Sequence, residues 1–453
     1  MNHFELTREY VDALELDIQH SNEKGILEKI DGLHAADLAE ILDEIEVEDG
    51  LIVLHCLDGE RASEVIIELE EDLRAKYLER LSSKEIAEQL IENLDSDDAA
   101  DVVAELPEGK REEVIAELDD VEQASDIVSL LNYEEGTAGA LMGKELIWVS
   151  KDWTVMRAVK EMRRQAEQID HVYTVYVVDT NQKLVGRLPV KQLLTTPVKT
   201  RIENIFKPEV RAVKTWTSQE EVAHMMEKYD LVVLPVVDEL GRLVGRITID
   251  DVVDVIKEEA DRDYQMLSGI SSDVDQSDTV LDLTKARLPW LLIGMIGGMT
   301  SASVIGTFEH SIKLIPAMAF FIPMITAMGG NIGVQSSAII VQGLANNSMQ
   351  MGGMLSKLAK EFTVALVNGL ALSALAFTGS YLFFGDYHLS ITVCMALMTV
   401  IIVAAVLGTF VPLMLDKYKI DPALATGPFV TTLNDIIGLF IYFVVGQLVY
   451  SFL

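Results

Sequence analysis

Two polar sequences interrupt the apolar C-terminal part of the chain, and their residue types are those that bind hard metal ions. Asn434 and Asp435 lie within the last apolar stretch, in PFVTTLNDIIGLF. The sequence GGNIGVQSS, residues 329–337, brings Asn331 and Gln335 into the second apolar stretch. Carboxylate, amide and carbonyl oxygens suit hard cations better than soft metals. These residues are therefore candidate ligands for an ion at membrane depth.

Asp435 could instead pair with a basic side chain or cap a helix. No Lys or Arg lies deep in any apolar stretch to pair with it, and charged groups in hydrocarbon are costly and usually functional. We therefore favour the ion-binding role. Two such aspartates across a two-fold axis would suit an ion that keeps its waters, as magnesium does. For Gly329, Gly330 and Gly333, close helix packing explains the residue type as well as a pore does.

Two acidic clusters precede the apolar part of the chain. The first is DSDDAAD, residues 95–101, where ordinary helix capping explains any single residue. The second lies in the segment 250–270 and comprises Asp251, Asp254, Glu258, Glu259, Asp261 and Asp263. A solvated acidic helix is the plain alternative, but like charges one turn apart repel each other. Divalent cations relieve such repulsion, so we expect this segment to sense cations.

The charge of the chain divides it into two parts. The 453 residues carry a net charge of −36, yet residues 288–453 hold five basic and six acidic side chains. The first 287 residues therefore carry −35, which indicates water as the solvent of the first part and lipid as that of the second. Such acidity argues against nucleic acid as a partner. Cys56 and Cys394 form no zinc pattern, which favours a reducing compartment.

Five apolar stretches are long enough to cross a bilayer, and five in succession favour membrane spans over buried core helices. They cover residues 288–308, 314–344, 362–384, 389–415 and 422–453, and we expect GGNIGVQSS to break the second. With the N-terminus in the cytosol, six basic residues flank the spans on the inside and only Lys313 lies outside. This orientation satisfies the positive-inside rule and places the C-terminus outside.

The first part of the chain contains two kinds of sequence pattern. Residues 1–135 repeat short amphipathic segments such as ADLAEIL, SEVIIEL and KEIAEQL, which predict a loose helical superhelix. Further on, TVYVVDTNQKLVGRLPVKQLL at 174–194 has a near twin at 231–253, LVVLPVVDELGRLVGRITIDDVV. Each copy predicts strand, turn, strand and helix after an amphipathic helix. The repeat therefore indicates a tandem α/β module.

The paired VVD…LVGR repeats resemble CBS domains, and the whole arrangement resembles the MgtE magnesium transporter/channel family. The resemblance covers essentially the entire chain, and its most specific parts are NYEEGTAGALM at 132–142, GGNIGVQSS and DPALATGPFVTTLND at 421–435. It implies a multi-domain chain with an α-helical superhelix, an α/β tandem CBS pair and an all-α bundle of five membrane helices. The implied segments are 1–135, the two CBS domains 136–200 and 201–256, a linking or plug helix 250–275, and the membrane domain 280–453.

The resemblance also implies a homodimer in the plasma or inner membrane that transports Mg²⁺ past Asp435, with Asn331 a further pore candidate. Cytosolic Mg²⁺ would close the pore by bridging the helical domain, the CBS pair and the plug helix. The implied ligands are Asp97, Asp101, Glu220, Asp230, Asp251, Asp254, Glu259 and Asp263, with Asp421 at the membrane face. Two positions depart from the family: Arg262 stands where an acid is frequent, and Gly427 where an Asn occurs.

Other functions remain open on the residues alone. The same oxygen ligands could carry cobalt or manganese, and a CBS pair could serve a membrane-tethered sensor that binds a nucleotide and transports nothing. ATP at the CBS pair and coupling of the flux to another ion are likewise undecided. An enzyme is disfavoured, because the sequence has no P-loop, GxSxG or HExxH motif.

Overall fold

The computed structural model describes residues 4–169, 172–271, 274, 279–345, 353–425 and 427–452. The chain divides into two compact units, Met1–Lys257 and Glu258–Leu453. The first unit contains the helical N-terminal part and the two α/β repeats. The second contains the apolar helices.

Short amphipathic helices build the first 130 residues, because each carries apolar side chains at helical spacing. In α3, for example, Leu38, Ile41 and Leu42 are buried, while Asp58 caps α5 by accepting from the Arg61 N–H. The helices are α1 Arg8–Gln19, α2 Glu23–Ile30, α3 Ala35–Glu44, α4 Val47–His55, α5 Gly59–Ile67, α6 Glu71–Arg80, α7 Ser83–Glu85, α8 Ser96–Glu105, α9 Glu108–Glu117 and α10 Val121–Leu130. The predicted helical N-terminal part is thus confirmed.

Each α/β repeat forms a three-stranded sheet. In the first, β1 (Trp148–Ser150) pairs in parallel with β2 (Val175–Val178), which pairs antiparallel with β3 (Leu184–Leu188). The second repeats this order with β4 (Val213–Lys214), β5 (Val233–Val237) and β6 (Leu243–Thr248). The accompanying helices are α11 Val155–Gln165, α12 Val190–Thr195 and α13 Gln219–Lys228. The predicted tandem module is confirmed, with one parallel strand added to each copy.

The helical part and the second repeat share one hydrophobic core. It runs from Val102 and Val103 of α8 to Val213 and Val222 of the second repeat and Val252 of the helix that follows it. The first repeat has a separate core. The shared core holds the acidic start of α8 against the second repeat, which is where the candidate sensor residues lie.

The helix after β6 is longer than the repeat alone requires. It is α14, Ile249–Leu267, so the final helix of the second repeat and the predicted linking helix are one helix of 19 residues. The helix ends at Leu267, short of the expected residue 275, and Gly269 beyond it has a φ of +80°. Residues 272, 273 and 275 of that prediction lie outside the described residues.

Five helices of the second unit are long and apolar enough to cross a membrane, as predicted. They are α15 Val280–Thr307, α17 Ile322–Ala345 with the 3₁₀ turn Pro316–Phe321 before it, α18 Met354–Phe384, α19 Tyr387–Lys417 and α20 Pro428–Phe452; the short α16, Glu309–Leu314, follows α15. The expectation that GGNIGVQSS breaks the second span is wrong, because α17 continues through it. Its glycines keep helical geometry and accommodate neighbouring helices, as described below.

The fourth span occupies the centre of the membrane unit. Val393, Val400 and Ile401 of α19 are buried together with Tyr442 and Phe443 of α20. The Tyr442 hydroxyl donates to the Met318 carbonyl at 2.9 Å, which satisfies a polar group in an apolar interior. This packing fixes α20, the helix that carries Asp435.

Candidate ion path and acidic site

Asp435 lies about two turns after Pro428, the first residue of α20, and is half-buried. A Cβ placed on Gly330 would lie 3.6 Å from the Asp435 Oδ1, so this carboxylate lies beside a glycine of α17. Among the described residues, no Lys, Arg or His nitrogen lies within 4.0 Å of it. A carboxylate at this depth without a basic partner can hold a cation.

Asn434, beside Asp435, faces the interior of the unit and is 2% exposed. A Cβ on Gly333 would lie 1.8 Å from the Asn434 Nδ2, and a Cβ on Gly408 would lie 2.4 Å from the Gly333 carbonyl oxygen. Gly333 therefore lies closely against the Asn434 side chain of α20, and Gly408 of α19 lies closely against the backbone of α17. Helix packing therefore explains the glycine at position 333. Gly330, by contrast, lies beside the candidate ion ligand Asp435.

Asn331 and Gln335 lie one turn apart on α17, and both are exposed on the single chain. Amide side chains that face hydrocarbon are costly, so such a face normally meets water or another protein chain. Asn331 thus lies on an exposed polar face of α17. Gly330, the residue before it, lies beside Asp435 of α20.

Three acidic side chains of the first unit converge at the start of α8. Carboxylate oxygens of Asp95, Asp97 and Glu145 all lie within 4.8 Å of one another. Glu145 accepts from the backbone N–H and the hydroxyl of Ser96, both at 3.0 Å. The segment before Glu145 is held by Gly143, whose N–H donates to the Arg246 carbonyl at 2.8 Å. A Cβ on Gly143 would lie 2.8 Å from the Asp97 Oδ2, so only glycine fits this approach.

One carboxylate oxygen of the acidic site accepts no hydrogen bond from the described residues. The Asp97 Oδ1 is inaccessible to solvent and has no hydrogen-bond partner among the described residues. Burial, and then the charges of Asp251 and Asp98, hold the pKa of Asp97 well above its usual range. Burial also raises the pKa of Asp98 to about 7. An unpaired buried carboxylate among other acids fits a hard divalent cation, which takes oxygen ligands.

Asp101 and Asp251 belong to the same acidic surroundings. The Asp101 side chain is exposed at its surface, and desolvation of its carboxylate by the surrounding protein, opposed by the charge of Arg74, raises its pKa to about 7. Burial raises the pKa of Asp251, although the Thr248 hydroxyl and N–H donate to its Oδ2 at 2.6 and 2.9 Å. One oxygen of Asp251 therefore caps α14. The structure brings the predicted residues Asp97, Asp101 and Asp251 into one electrostatic cluster.

The remaining predicted ligands are either exposed in the first unit or interact with other groups in the second. Glu220, Asp230 and Asp254 are exposed. Arg262 pairs with Glu259 at 3.6 Å, so the basic residue in the linking helix neutralises one predicted ligand. In the second unit, burial and then the Asp421 charge raise the pKa of Asp263, while the Asp421 Oδ1 accepts from the Ala423 N–H at 2.8 Å.

The end of α14 touches the start of α20 at two glycines with left-handed backbone. Gly427 has a φ of +55°, and a Cβ there would lie 2.5 Å from the Leu267 carbonyl oxygen. A Cβ on Gly269, whose φ is +80°, would lie 2.6 Å from the Pro428 Cγ. The linking helix and the candidate pore helix are thus in direct backbone contact.

A cleft between the two α/β repeats has aromatic and basic walls. It is lined by residues that include Ile147, Tyr173, Tyr176, Val233 and Arg246. The Tyr176 hydroxyl is buried and has no hydrogen-bond partner among the described residues. Arg246 also pairs with Asp95 at 3.4 Å. A residue of the cleft therefore contacts the acidic site.

Sequence reasoning missed Glu145 and the importance of Asp98. Glu145 contacts Ser96 across 49 positions of sequence, and no local pattern reveals such a pair. Asp98 was visible only as one member of an acidic N-terminal cluster. Its burial depends on the packing of α8 against the second repeat.

Family models match most of the chain. The MgtE model, described as a divalent cation transporter, matches residues 322–445. The MgtE intracellular N domain matches 33–136, and the CBS domain matches 138–199 and 203–258.

Named relatives agree with these matches. The chain is 34% identical to the magnesium transporter MgtE of Thermus thermophilus over 443 residues, which cover 96% of this chain and 97% of the relative. It is also 34% identical to that of Bacillus subtilis over 314 residues, 69% and 70% of the two chains. A crystal structure of the cytosolic domain of the Mg²⁺ channel MgtE in complex with ATP matches with 35% identity and a TM-score of 0.50, and covers 54% of this chain and 99% of that one.

Proposed function

Because the chain belongs to the MgtE family, we propose that it is a multi-pass membrane protein that carries magnesium across the membrane. The relatives that match nearly full length or over two thirds of it bear the name magnesium transporter. The structural observation that supports the proposal best is Asp435, an acid in the fifth span beside Gly330 with no basic partner among the described residues. The matching MgtE family model is described as that of a divalent cation transporter.

The proposed path lies between two copies of the chain. Two Asp435 side chains across a two-fold axis would hold a hydrated magnesium ion, which keeps much of its water. The exposed amides Asn331 and Gln335 support a second copy or a water-filled path at this face. The proposed orientation has the N-terminal unit in the cytosol and the C-terminus outside the plasma or inner membrane, because this satisfies the charge bias of the loops.

The proposed regulator is cytosolic magnesium bound at the acidic site. Asp97 supports this with a buried oxygen that has no partner among the described residues, and further acidic side chains surround it: Asp251, Asp98, Glu145 and Asp95. Exposed Glu220, Asp230 and Asp254 would add ligands from the second repeat and α14. Asp263 and Asp421 would form a further site in the second unit, with Glu259 weakened as a ligand by Arg262.

ATP is a proposed ligand of the cleft between the repeats. The relative's cytosolic domain that matches at a TM-score of 0.50 was crystallised with ATP. Tyr173, which is 39% exposed, offers a ring for a base, and Arg246 offers positive charge for phosphate. Arg246 also contacts Asp95, which would link nucleotide binding to the acidic site.

Flux into liposomes that contain the purified chain tests the transport proposal. We expect magnesium to enter, and cobalt and manganese in competition to reveal whether the path prefers another divalent ion. Imposing a membrane potential or a sodium or proton gradient would separate passive from coupled flux. A protein that binds magnesium and ATP but passes no divalent cation would be a sensor, and the transport proposal would fail.

A further inference from the structure

An acidic residue of the third span is hydrogen-bonded to the helix that borders the proposed ion ligand. Glu361 of α18 is half-buried, and its Oε1 accepts from the Ser336 hydroxyl of α17 at 2.5 Å. Ser336 is 3% exposed, so this contact lies inside the unit. The described ion pairs of the unit join Glu259 to Arg262, Asp282 to Lys285 and Glu309 to Lys313, and do not include Glu361.

Ser336 belongs to the segment of α17 that packs against α20. Ser336 follows Gly333 by three residues, about one turn of the same helix. Gly333 accommodates the Asn434 amide, and Gly330, one turn earlier, lies beside the Asp435 carboxylate. Because an unbroken helix transmits rotation and translation along its axis, the position of Ser336 constrains both glycines.

The other end of the hydrogen bond is also fixed. A Cβ on Gly369 of α18 would lie 2.6 Å from the Met398 Sδ of α19, so the backbones of these helices approach closely. The α19 helix in turn meets α17 where Gly408 faces the Gly333 carbonyl. The Ser336–Glu361 hydrogen bond therefore closes a ring of contacts through α17, α18 and α19.

We propose that Glu361 is a positioning residue for transport. Its carboxylate accepts a hydrogen bond from the Ser336 hydroxyl and so fixes the rotation of α17 about its axis and its translation along that axis. The face of α17 that contains Gly330 and Gly333 then positions Asp435 at the ion path. This inference rests on the proposed role of Asp435. An acceptor oxygen suits the task because a hydrogen bond is stronger inside the protein than in water.

Substitutions in the full-length chain, assayed by magnesium flux in liposomes, test the proposal. Glu361→Ala and Ser336→Ala remove the hydrogen bond, so each should lower flux about tenfold or more, since small displacements of a reacting group have large effects. Glu361→Gln keeps an acceptor oxygen for Ser336 and should retain most of the flux. The double Ala variant should lose no more than either single variant, because both remove one interaction.

A selectivity measurement separates positioning from general destabilisation. A shifted Asp435 should discriminate less well, so the ratio of magnesium to sodium flux should fall in the Ala variants. Loss of folded protein alone would lower both fluxes and leave their ratio unchanged, and that result would overturn the proposal. Thr363→Ala is the matched control, because the Thr363 hydroxyl donates to Ala359 within α18.

Two further outcomes would count against Glu361. If Glu361→Ala transports with normal rate and ratio, the residue has no positioning role. If Glu361→Gln is as inactive as Glu361→Ala while Ser336→Ala is normal, its charge matters and its hydrogen bond does not. Asp435→Asn is measured in parallel. If Asp435→Asn transports normally, the proposed ion path fails whatever Glu361 does, whereas an inactive Asp435→Asn with a normal Glu361→Ala rejects only the positioning role.

Discussion

At the residue scale, Asp435 is the side chain on which the proposed ion path depends. Asp435→Asn removes the negative charge but keeps the shape, so we expect magnesium uptake to be abolished while the protein still inserts and elutes at its normal size. Asp416→Asn changes an exposed acid at the end of α19 and should leave uptake unchanged. Uptake by liposomes measures both, and normal flux through well-folded Asp435→Asn would remove Asp435 from the path.

The acidic site predicts a pH dependence of opposite sign to that of ordinary salt-bridged acids. The pKa values of Asp98 and Asp101 are raised to about 7 in the folded unit, against about 4 in an unfolded chain. Between these values the folded state binds more protons, so stability falls as pH rises through this window. Without magnesium, residues 1–270 should therefore melt at a higher temperature at pH 5.5 than at pH 7.5.

Magnesium should reverse this trend, because it competes with the protons for the same carboxylates. The rise in melting temperature on adding magnesium should be larger at pH 7.5 than at pH 5.5, at constant ionic strength. Asp98→Asn with Asp101→Asn should flatten the pH dependence in its absence. A double variant with the full wild-type dependence would show that other groups cause it.

The sequence predicts those residues of the acidic site that belong to a recognised local pattern, and not those that meet only through contacts between distant positions in the chain. Asp97, Asp101 and Asp251 were candidates from the family pattern, and the structure places them in one cluster. Glu145 was missed because its contact with Ser96 spans 49 residues, which composition and periodicity do not encode. Nor could the sequence show that one Asp251 oxygen accepts from Thr248, since this depends on where α14 begins.

At the element scale, the approach of the membrane helices depends on particular glycines. A Cβ on Gly333 would overlap the Asn434 amide, so Gly333→Ala must displace the buried Asn434 side chain, either by changing its rotamer or by shifting the α20 helix that carries it. We expect it to destabilise the protein by about 1–3 kcal/mol, as overpacking does, and to lower flux by moving Asp435. Gly379→Ala, in α18 with open space around its Cβ position, is the control and should be neutral. Thermal unfolding in detergent compares the two.

The same glycines show why span boundaries were easier to predict than span interiors. Length and hydropathy are local properties, and they located all five helices to within a few residues at most ends. The intrinsic preferences of the glycines and polar residues in GGNIGVQSS predict a break in the helix. Tertiary packing overrides that preference, because Gly333 provides room for Asn434. The strands β1 and β4 were missed since runs of three and two residues carry almost no periodic signal.

At the scale of the whole molecule, the proposed regulation by magnesium requires the helical N-terminal part. Deletion of residues 1–130 removes Asp95, Asp97, Asp98 and Asp101 from the acidic site but leaves the five spans intact. An ion shifts an equilibrium only by binding one state more tightly, so the truncated protein should conduct but need more cytosolic magnesium to close. Patch recordings over a range of cytosolic magnesium measure this. Closure at the same concentration as the full chain would exclude the helical part from the sensor.

The contact between Gly427 and the end of α14 has a consequence for how the family can vary. An asparagine tolerates the left-handed backbone of Gly427, but its Cβ would overlap the Leu267 carbonyl. In a family member that carries asparagine at this position, the end of α14 must therefore lie in a different position relative to the start of α20. Among family members, substitutions at position 427 should then occur together with substitutions at positions 267–269. A chain that carries the change on only one side of this contact should be rare among natural sequences.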